Sequence, residues 1–160
     1  MLLRLDDEAA LRQGWRTLMA SVRAKAPQAR IDGAIVQPMA GGHLELVVGV
    51  QRDPVFGMVV MVGFGGVWVE VLKDVSFRRA PFGPGEARRM LAELRLAPLL
   101  DGVRGQPAVD REAIARLLSS LSCWAASMAP WLAELDLNPI RVGPDGPIAV
   151  DCVMVLRPPG

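Results

Sequence analysis

The chain has 160 residues, about half of them apolar and about a fifth charged, which suits one globular domain with a real core and excludes a disordered chain. Eighteen Lys and Arg against 17 Asp and Glu leave a net charge of +1, so nothing in the balance argues for nucleic acid. The short basic pairs Arg78-Arg79 and Arg88-Arg89 read as solvated helix faces and turns. Two cysteines, Cys123 and Cys152, are too few and too far apart for a zinc site or disulfide framework, and their apolar neighbours predict buried thiols in a reducing compartment. The start MLLRLDDE lacks a signal peptide's apolar core and cleavage site. The longest uncharged run, Leu117 to Ala133, carries four Ser and Pro130, so it predicts a buried helix and a loop, not a membrane span. The expectation is a soluble, cytoplasmic protein.

In chain order, Leu2 to Leu5 reads as the tail of a strand. Asp6 then caps a helix that runs to about Ala26, where Pro27 stops it. Leu11, Trp15, Leu18, Met19 and Val22 recur at three and four residues and form one buried stripe. A strand is expected from Ile31 to about Met39, followed by a turn at Gly41-Gly42. Next come HLELVVGV, a turn in QRDPVFG, MVVMVGFGG and VWVEVL, which together predict an antiparallel meander. The Pro and Gly of DVSFRRAPFGPG mark a loop or edge segment. Helices are expected from Glu86 to about Leu94 and from Asp110, the cap, to about Ser127. The chain ends in two strands around Gly143-Pro144-Asp145-Gly146. Antiparallel strands with helices to one side make the fold class α+β.

The terminal hairpin carries the candidate chemistry. Residues two apart on a strand share a face, so Asp136 and Asn138 project together. A turn centred between Pro144 and Asp145 sets Asn138 opposite Asp151, with Cβ atoms roughly 4.5–5.5 Å apart. Three oxygen-bearing side chains then converge, as Mg²⁺ requires when waters and phosphate oxygens complete its octahedron. Two acids and an amide on a hairpin are, taken alone, more often a solvated face. The flanking Leu135, Leu137, Ile148, Val150 and Val153 predict a half-buried hairpin whose polar face needs a reason.

The segments VQPMAGGHLELVVGVQRDPVFG, MVGFGGVWVEVLKDVSFRRAP, LLDGVRGQP and ELDLNPIRVGPDGPIAVD resemble the ATP-grasp domain of ADP-forming acetyl-CoA or acyl-CoA synthetases, and more distantly the β subunit of succinyl-CoA synthetase. The resemblance covers nearly all of the chain from about Gly33. It implies that residues 1–30 are the tail of a first ATP-grasp subdomain and 31–160 the C-terminal subdomain. It implies that ATP or ADP lies between two subdomains with its adenine on the backbone of the joining segment, which makes Val36, Gln37 and Met39 its neighbours. Asn138 and Asp151 match the family's Mg ligands and Asp136 its acid at the strand start; Glu134 is a weaker candidate. Gly63, Gly65 and Gly66 look like the family's loop near the phosphoryl region or the docking phosphohistidine segment, where close backbone approach forbids a Cβ, or else a plain hairpin turn. Arg52 and Arg78 are either phosphate contacts or structural ion pairs, and Glu45 and Asp53 fit the same family pattern. His43 stands at no position associated with catalysis.

The resemblance also implies what the chain does not carry. The family's phosphate-binding Lys and phosphoacceptor His lie upstream of Met1, and the CoA-binding domains have no counterpart, so no catalytic residue is expected in this fragment. The implied function is the nucleotide- and Mg-binding portion of an acid–CoA ligase that works through phosphohistidine, inactive alone and partnered in its parent by the N-terminal ATP-grasp half and the CoA-binding domains. It is compatible with an oligomer. The alternatives are a stand-alone regulatory or interaction module, or the ATP-grasp tail of a protein acetyltransferase fusion. The acyl group is not legible.

Overall fold

The computed structural model describes residues 1–66, 73–103 and 105–158. The chain packs as two compact units, Met1–Met39 and Ala40–Gly160. In the first, helix α1 (Glu8–Lys25) starts at Asp7, whose carboxylate accepts the Ala10 N–H at 2.7 Å. The cap thus falls one residue later than Asp6. Met19 and Gly14 are buried, and a Cβ on Gly14 would meet the side chains of Leu2 and Leu5 at 3.2–3.3 Å, which is why the helix tolerates glycine there. No strand forms over residues 2–5 or 31–39, against the sequence expectation. A strand exists only through hydrogen bonds to a neighbouring strand, and no described residue supplies them to these segments.

The second unit is built on an antiparallel sheet. Strands β1 (Leu44–Asp53) and β2 (Gly57–Phe64) form a hairpin with Val48 opposite Val62 and Asp53 opposite Gly57. The Asp53 carboxylate accepts the N–H groups of Val55 and Phe56, each at 2.8 Å, and Gly57 takes φ +77°, so the turn is made by local chemistry. Strand β3 (Val75–Arg79) adds to β2 as an edge, as the Pro- and Gly-rich sequence suggested. The expected strand VWVEVL lies outside the described residues. Helix α2 (Pro84–Glu93), a 3₁₀ turn (Ala97–Asp101) and helix α3 (Arg111–Ser127) follow. As expected, Asp110 caps α3, accepting the Ala113 N–H at 2.8 Å. Strand β4 (Leu132–Gly143) then enters the sheet beside β1, and β5 (Gly146–Ala149) and β6 (Cys152–Leu156) pair in succession along its other side. The order among the described strands is β3-β2-β1-β4-β5, with β6 on β4.

One face of this sheet is apolar and covered. Leu46, Val48, Val50, Val60, Val62, Phe64, Leu135, Ile140 and Val142 pack with Ala87, Met90, Leu91, Ile114, Leu118 and Ala125 of the helices in a single core. Three buried polar residues lock the connections. Asp74 accepts the Arg95 and Leu96 N–H groups at 2.8 and 2.9 Å. Ser119 and Ser122 hold the backbone of Phe82, Ser122 accepting its N–H at 3.1 Å and both hydroxyls donating to its carbonyl. The fold is α+β with helices on one side. By strand alternation the opposite face presents Glu45, Gly49, Gln51, Met61, Phe77, Glu134 and Asp136.

Candidate functional site

The return of the chain along β4 builds the site. The hairpin loop is the two residues Pro144-Asp145, with Gly143 opposite Gly146 and Gly146 at φ +98°. Pairing runs Ile140–Ala149, breaks, and resumes at Leu137–Cys152 in the same register. At the break the Asn138 N–H donates to the Asp151 carbonyl at 3.3 Å and the Val150 N–H to the Pro139 carbonyl at 3.0 Å. Asn138 therefore lies opposite Asp151, as the turn position implied.

Asn138 and Pro139 both turn main-chain groups toward the return strand, and across β1 the register shifts by one residue between the Leu46–Ile140 and Val48–Leu137 pairs. This is a β-bulge, which re-aims side chains. Before it Leu135 and Leu137 face the core; after it Ile140 and Val142 do. The polar face consequently reads Glu134, Asp136, Asn138 and then Arg141, three residues on. Asp136 is half-buried and lies opposite both Gly49 of β1 and Val153 of β6; Asn138 and Asp151 are exposed. One Asp151 oxygen accepts the Cys152 N–H at 2.8 Å. Beside Asp136 lies a depression of about 650 Å³ lined by Gly49, Gln51, Met61, Phe77 and Glu134 among others.

Glu134, Asp136 and Asp151 make no ion pair among the described residues. No group of three His, Cys, Asp or Glu among them is gathered to hold a metal unaided. Two carboxylates and an amide suit a hard cation that keeps waters and takes further oxygens from a ligand, which is the chemistry of Mg²⁺ rather than of zinc. The apolar flanks expected to half-bury the hairpin do so only in part. Leu135 is buried and Leu137 partly so, whereas Ile148, Val150 and Val153 are about half exposed, because β5 and β6 form the sheet's margin.

The remaining candidates separate into different surroundings. Arg78 is committed to α2, where its guanidinium meets Glu86 at 2.6 Å and also Glu93, so the ion-pair reading holds for it. The bond from Glu93, then that from Glu86, holds the Arg78 pKa above its ordinary value. Conversely Arg78, with Arg89, pulls Glu86 below the usual carboxylate range, and Arg78, with Ser76, does the same to Glu93. Arg52 alternates with Val48 and Val50, on the helix side of β1, and its Nε and one terminal nitrogen are buried without a partner among the described residues. The three glycines each have a reason within the chain. A Cβ on Gly63 would sit 2.7 Å from Val75 Cγ1, and one on Gly65 would sit 3.2 Å from Glu45 Cβ; Gly66 takes φ +66°. Val36, Gln37 and Met39 are exposed and belong to the first unit, where Val36 lines a small groove with Leu11 and Trp15. His43 is half-buried at the start of β1. Both thiols are exposed, correcting the expectation of burial: Cys123 lies on the solvent side of α3, and every residue of β6 is exposed.

Sequence reasoning passed over Arg141. Plain alternation sets residues 138 and 141 on opposite faces, and only the bulge unites them. Pro139 inside a strand was the available signal.

Comparison with known proteins agrees with this architecture. The profile of a family described as an ATP-grasp domain matches residues 1–156. The chain is 44% identical over 149 residues to acetate–CoA ligase [ADP-forming] I of Archaeoglobus fulgidus, covering 93% of this chain and 22% of that protein. It is 35% identical to the β subunit of acetate–CoA ligase [ADP-forming] II of Pyrococcus furiosus, covering 98% of this chain and 67% of the subunit. Acetyl-coenzyme A synthetase 1 of Ca. Korarchaeum cryptofilum, solved in complex with coenzyme A, Ca-AMPCP and HgCl⁺, superposes with a TM-score of 0.89 at 39% identity, over 98% of this chain and 68% of that one. The chain thus spans about a fifth of the single-chain ligase and two thirds of the β subunit. With a family profile over nearly its full length and relatives well above 30% identity, this chain belongs to the ATP-grasp family, in the branch of the ADP-forming acetate–CoA ligases.

Proposed function

We propose that this chain is the nucleotide- and Mg-binding portion of an ADP-forming acyl-CoA synthetase, an acid–CoA ligase that passes a phosphoryl group through phosphohistidine. The observation that carries the reading is the register that pairs Asn138 with Asp151 beside Asp136 on the sheet face opposite the helices. The calcium–nucleotide analogue bound by the Korarchaeum relative supports a divalent cation and nucleotide as the ligands. Asp136, Asn138 and Asp151 would hold Mg²⁺, with waters and phosphate oxygens filling the remaining positions. Bound there, the ion would neutralise charge on the transferring phosphoryl group. Residues 1–30 are then the tail of the first subdomain and 31–160 the C-terminal one, with Val36, Gln37 and Met39 beside the adenine and Gly63, Gly65 and Gly66 near the phosphoryl region. The parent supplies an N-terminal ATP-grasp half and CoA-binding domains. No helix among the described residues is long and apolar enough to cross a membrane, and the two exposed free thiols accord with a reducing, cytoplasmic setting.

The test is a pair of measurements on the intact ligase, wild type and Asp151→Asn: kcat/KM for Mg·ATP and the unfolding midpoint. The substitution keeps the shape and removes one charge from the cation. It is expected to lower kcat/KM roughly ten- to several-hundred-fold with the midpoint almost unmoved. Unchanged kinetics would remove the metal assignment.

A further inference from the structure

We infer that strand β6 is an interaction surface for a second copy of this chain, and that two copies pair β6 against β6, antiparallel, with Met154 of one opposite Met154 of the other. Nothing in this depends on the nucleotide reading. Among the described strands, β6 pairs with β4 along one edge and with none along the other. Every residue of β6 is exposed, including Val153, Met154, Val155 and Leu156, the last by 60%. An apolar strand with a free edge is a template for another strand, and neither a lysine nor a proline within β6 guards against it. The free groups of that edge follow from the bonds to β4. The Asp151 carbonyl accepts from Asn138 at 3.3 Å and the Arg157 N–H donates to the Trp131 carbonyl at 2.8 Å, so the odd-numbered residues turn their main chain toward β4. Cys152, Met154 and Leu156 therefore turn theirs outward. The Cys152 N–H agrees, since it donates to the Asp151 carboxylate at 2.8 Å and not to β4.

This edge is its own complement. Asp151 and Arg157 flank a run of uncharged residues centred on Met154. With Met154 opposite Met154 of the second copy, Cys152 meets Leu156, and these outward-turned residues exchange main-chain hydrogen bonds pair by pair. On the face shared with Asp136, Val153 meets Val155 and Asp151 meets Arg157, each twice by symmetry, at the closer spacing of non-hydrogen-bonded pairs. Arg157 makes no ion pair among the described residues, and its Nε is buried without a hydrogen-bond partner among them. Sliding the copies by two residues, the smallest shift that keeps the hydrogen-bonding pattern, sets Asp151 opposite a valine or a proline and leaves the charges unmatched. Pro158 has no N–H to offer the outward edge, so the ladder ends where the charges do. Once a carbonyl of the second copy meets the Cys152 N–H, the Asp151 oxygen that now accepts it is released to Arg157. The contact is one strand from each copy, at the small end of specific interfaces, so a dimer of micromolar strength is expected.

Sedimentation velocity of the 160-residue chain, from about 1 to about 200 µM, tests the pairing. The wild type is expected to pass from the mass of one chain to that of two across this range. Arg157→Asp sets like charges opposite each other twice, and Met154→Pro removes the central outward N–H while sparing the bonds to β4. Each should weaken the dimer roughly tenfold or more. Asp151→Arg should do the same alone. Mixed in equal amounts, Arg157→Asp and Asp151→Arg chains restore both ion pairs across one interface, and the mixture should regain the mass of two chains. Unfolding midpoints show which variants are folded; if Asp151→Arg is not, Arg157→Asp and Met154→Pro carry the test. A wild type that keeps the mass of one chain overturns the proposal. So does a dimer that Arg157→Asp and Met154→Pro leave intact, since it forms elsewhere. A monomeric chain whose β6 amides gain hydrogen-exchange protection only in the intact ligase assigns the edge to another part of that ligase, and overturns the proposal as well.

Discussion

The two faces of the sheet use the same kinds of residue to opposite ends. On the helix side Arg78 is met by two carboxylates, Glu86 and Glu93, and Ser76 completes the set by donating to Glu93. On the opposite face Glu134, Asp136 and Asp151 stand without a cationic partner among the described residues, and the guanidinium on β4, Arg141, is spent on Glu45 and the Gly42 carbonyl. A charge that finds its counter-charge within the chain contributes to holding elements together. Carboxylates left unpaired along one strand repel one another, and a cation supplied from outside would relieve that repulsion. The contrast therefore sorts charges paired within the chain from charges left unpaired among the described residues, where residue type cannot.

If that division holds, substitutions on the two faces should separate cleanly in kinetics and stability. The largest effect is expected at Asp136→Asn in the intact ligase. Like Asp151→Asn, it should lower kcat/KM for Mg·ATP roughly ten- to several-hundred-fold and leave the unfolding midpoint nearly in place. A large stability loss with normal kinetics would invert the comparison. Next comes the covered face. Ser122→Ala strips the buried Phe82 N–H of its acceptor, and denaturant unfolding of the chain should report a loss of about 1–3 kcal/mol with nucleotide kinetics unchanged. Asp110→Ala removes the cap of α3 and should cost about 1 kcal/mol by the same measurement.

The smallest effect is a dependence on pH. Arg78 lowers the folded-state pKa of both Glu86 and Glu93 below the ordinary value of 4.5. A depressed carboxylate contributes stability that is fully present above the unfolded pKa and is lost as pH falls through the folded one. The unfolding midpoint of the chain should therefore decline in acid, beginning near pH 4.5, and Arg78→Met should flatten that decline. An identical acid profile in the variant would show that solvent screens the cluster completely.

Much of this was readable from local chemistry. Asp53 makes the β1–β2 turn with its own carboxylate, Asp110 caps α3, and Pro144-Asp145 flanked by glycines centres the last hairpin, so strand boundaries and the pairing of Asn138 with Asp151 follow from residues within a few positions of each other. The apolar alternation of β1 and β2 likewise announces a sheet with one buried face, because each strand must bury the same side. What tertiary structure alone decided involves partners distant in sequence. Arg78 is claimed by a helix 8 and 15 residues away, and Arg141 by groups 96 and 99 residues away. Whether Cys123 and Cys152 face core or solvent depends on what packs against α3 and β6. Residues 31–39 carry strand-like residues, yet no neighbouring strand among the described residues pairs with them. Sequence determines turns, caps and the face each strand must bury, since those are short-range preferences. Which charge is paired and which left open is settled by long-range contact, because an ion pair needs a partner delivered to within a few ångströms by the whole fold.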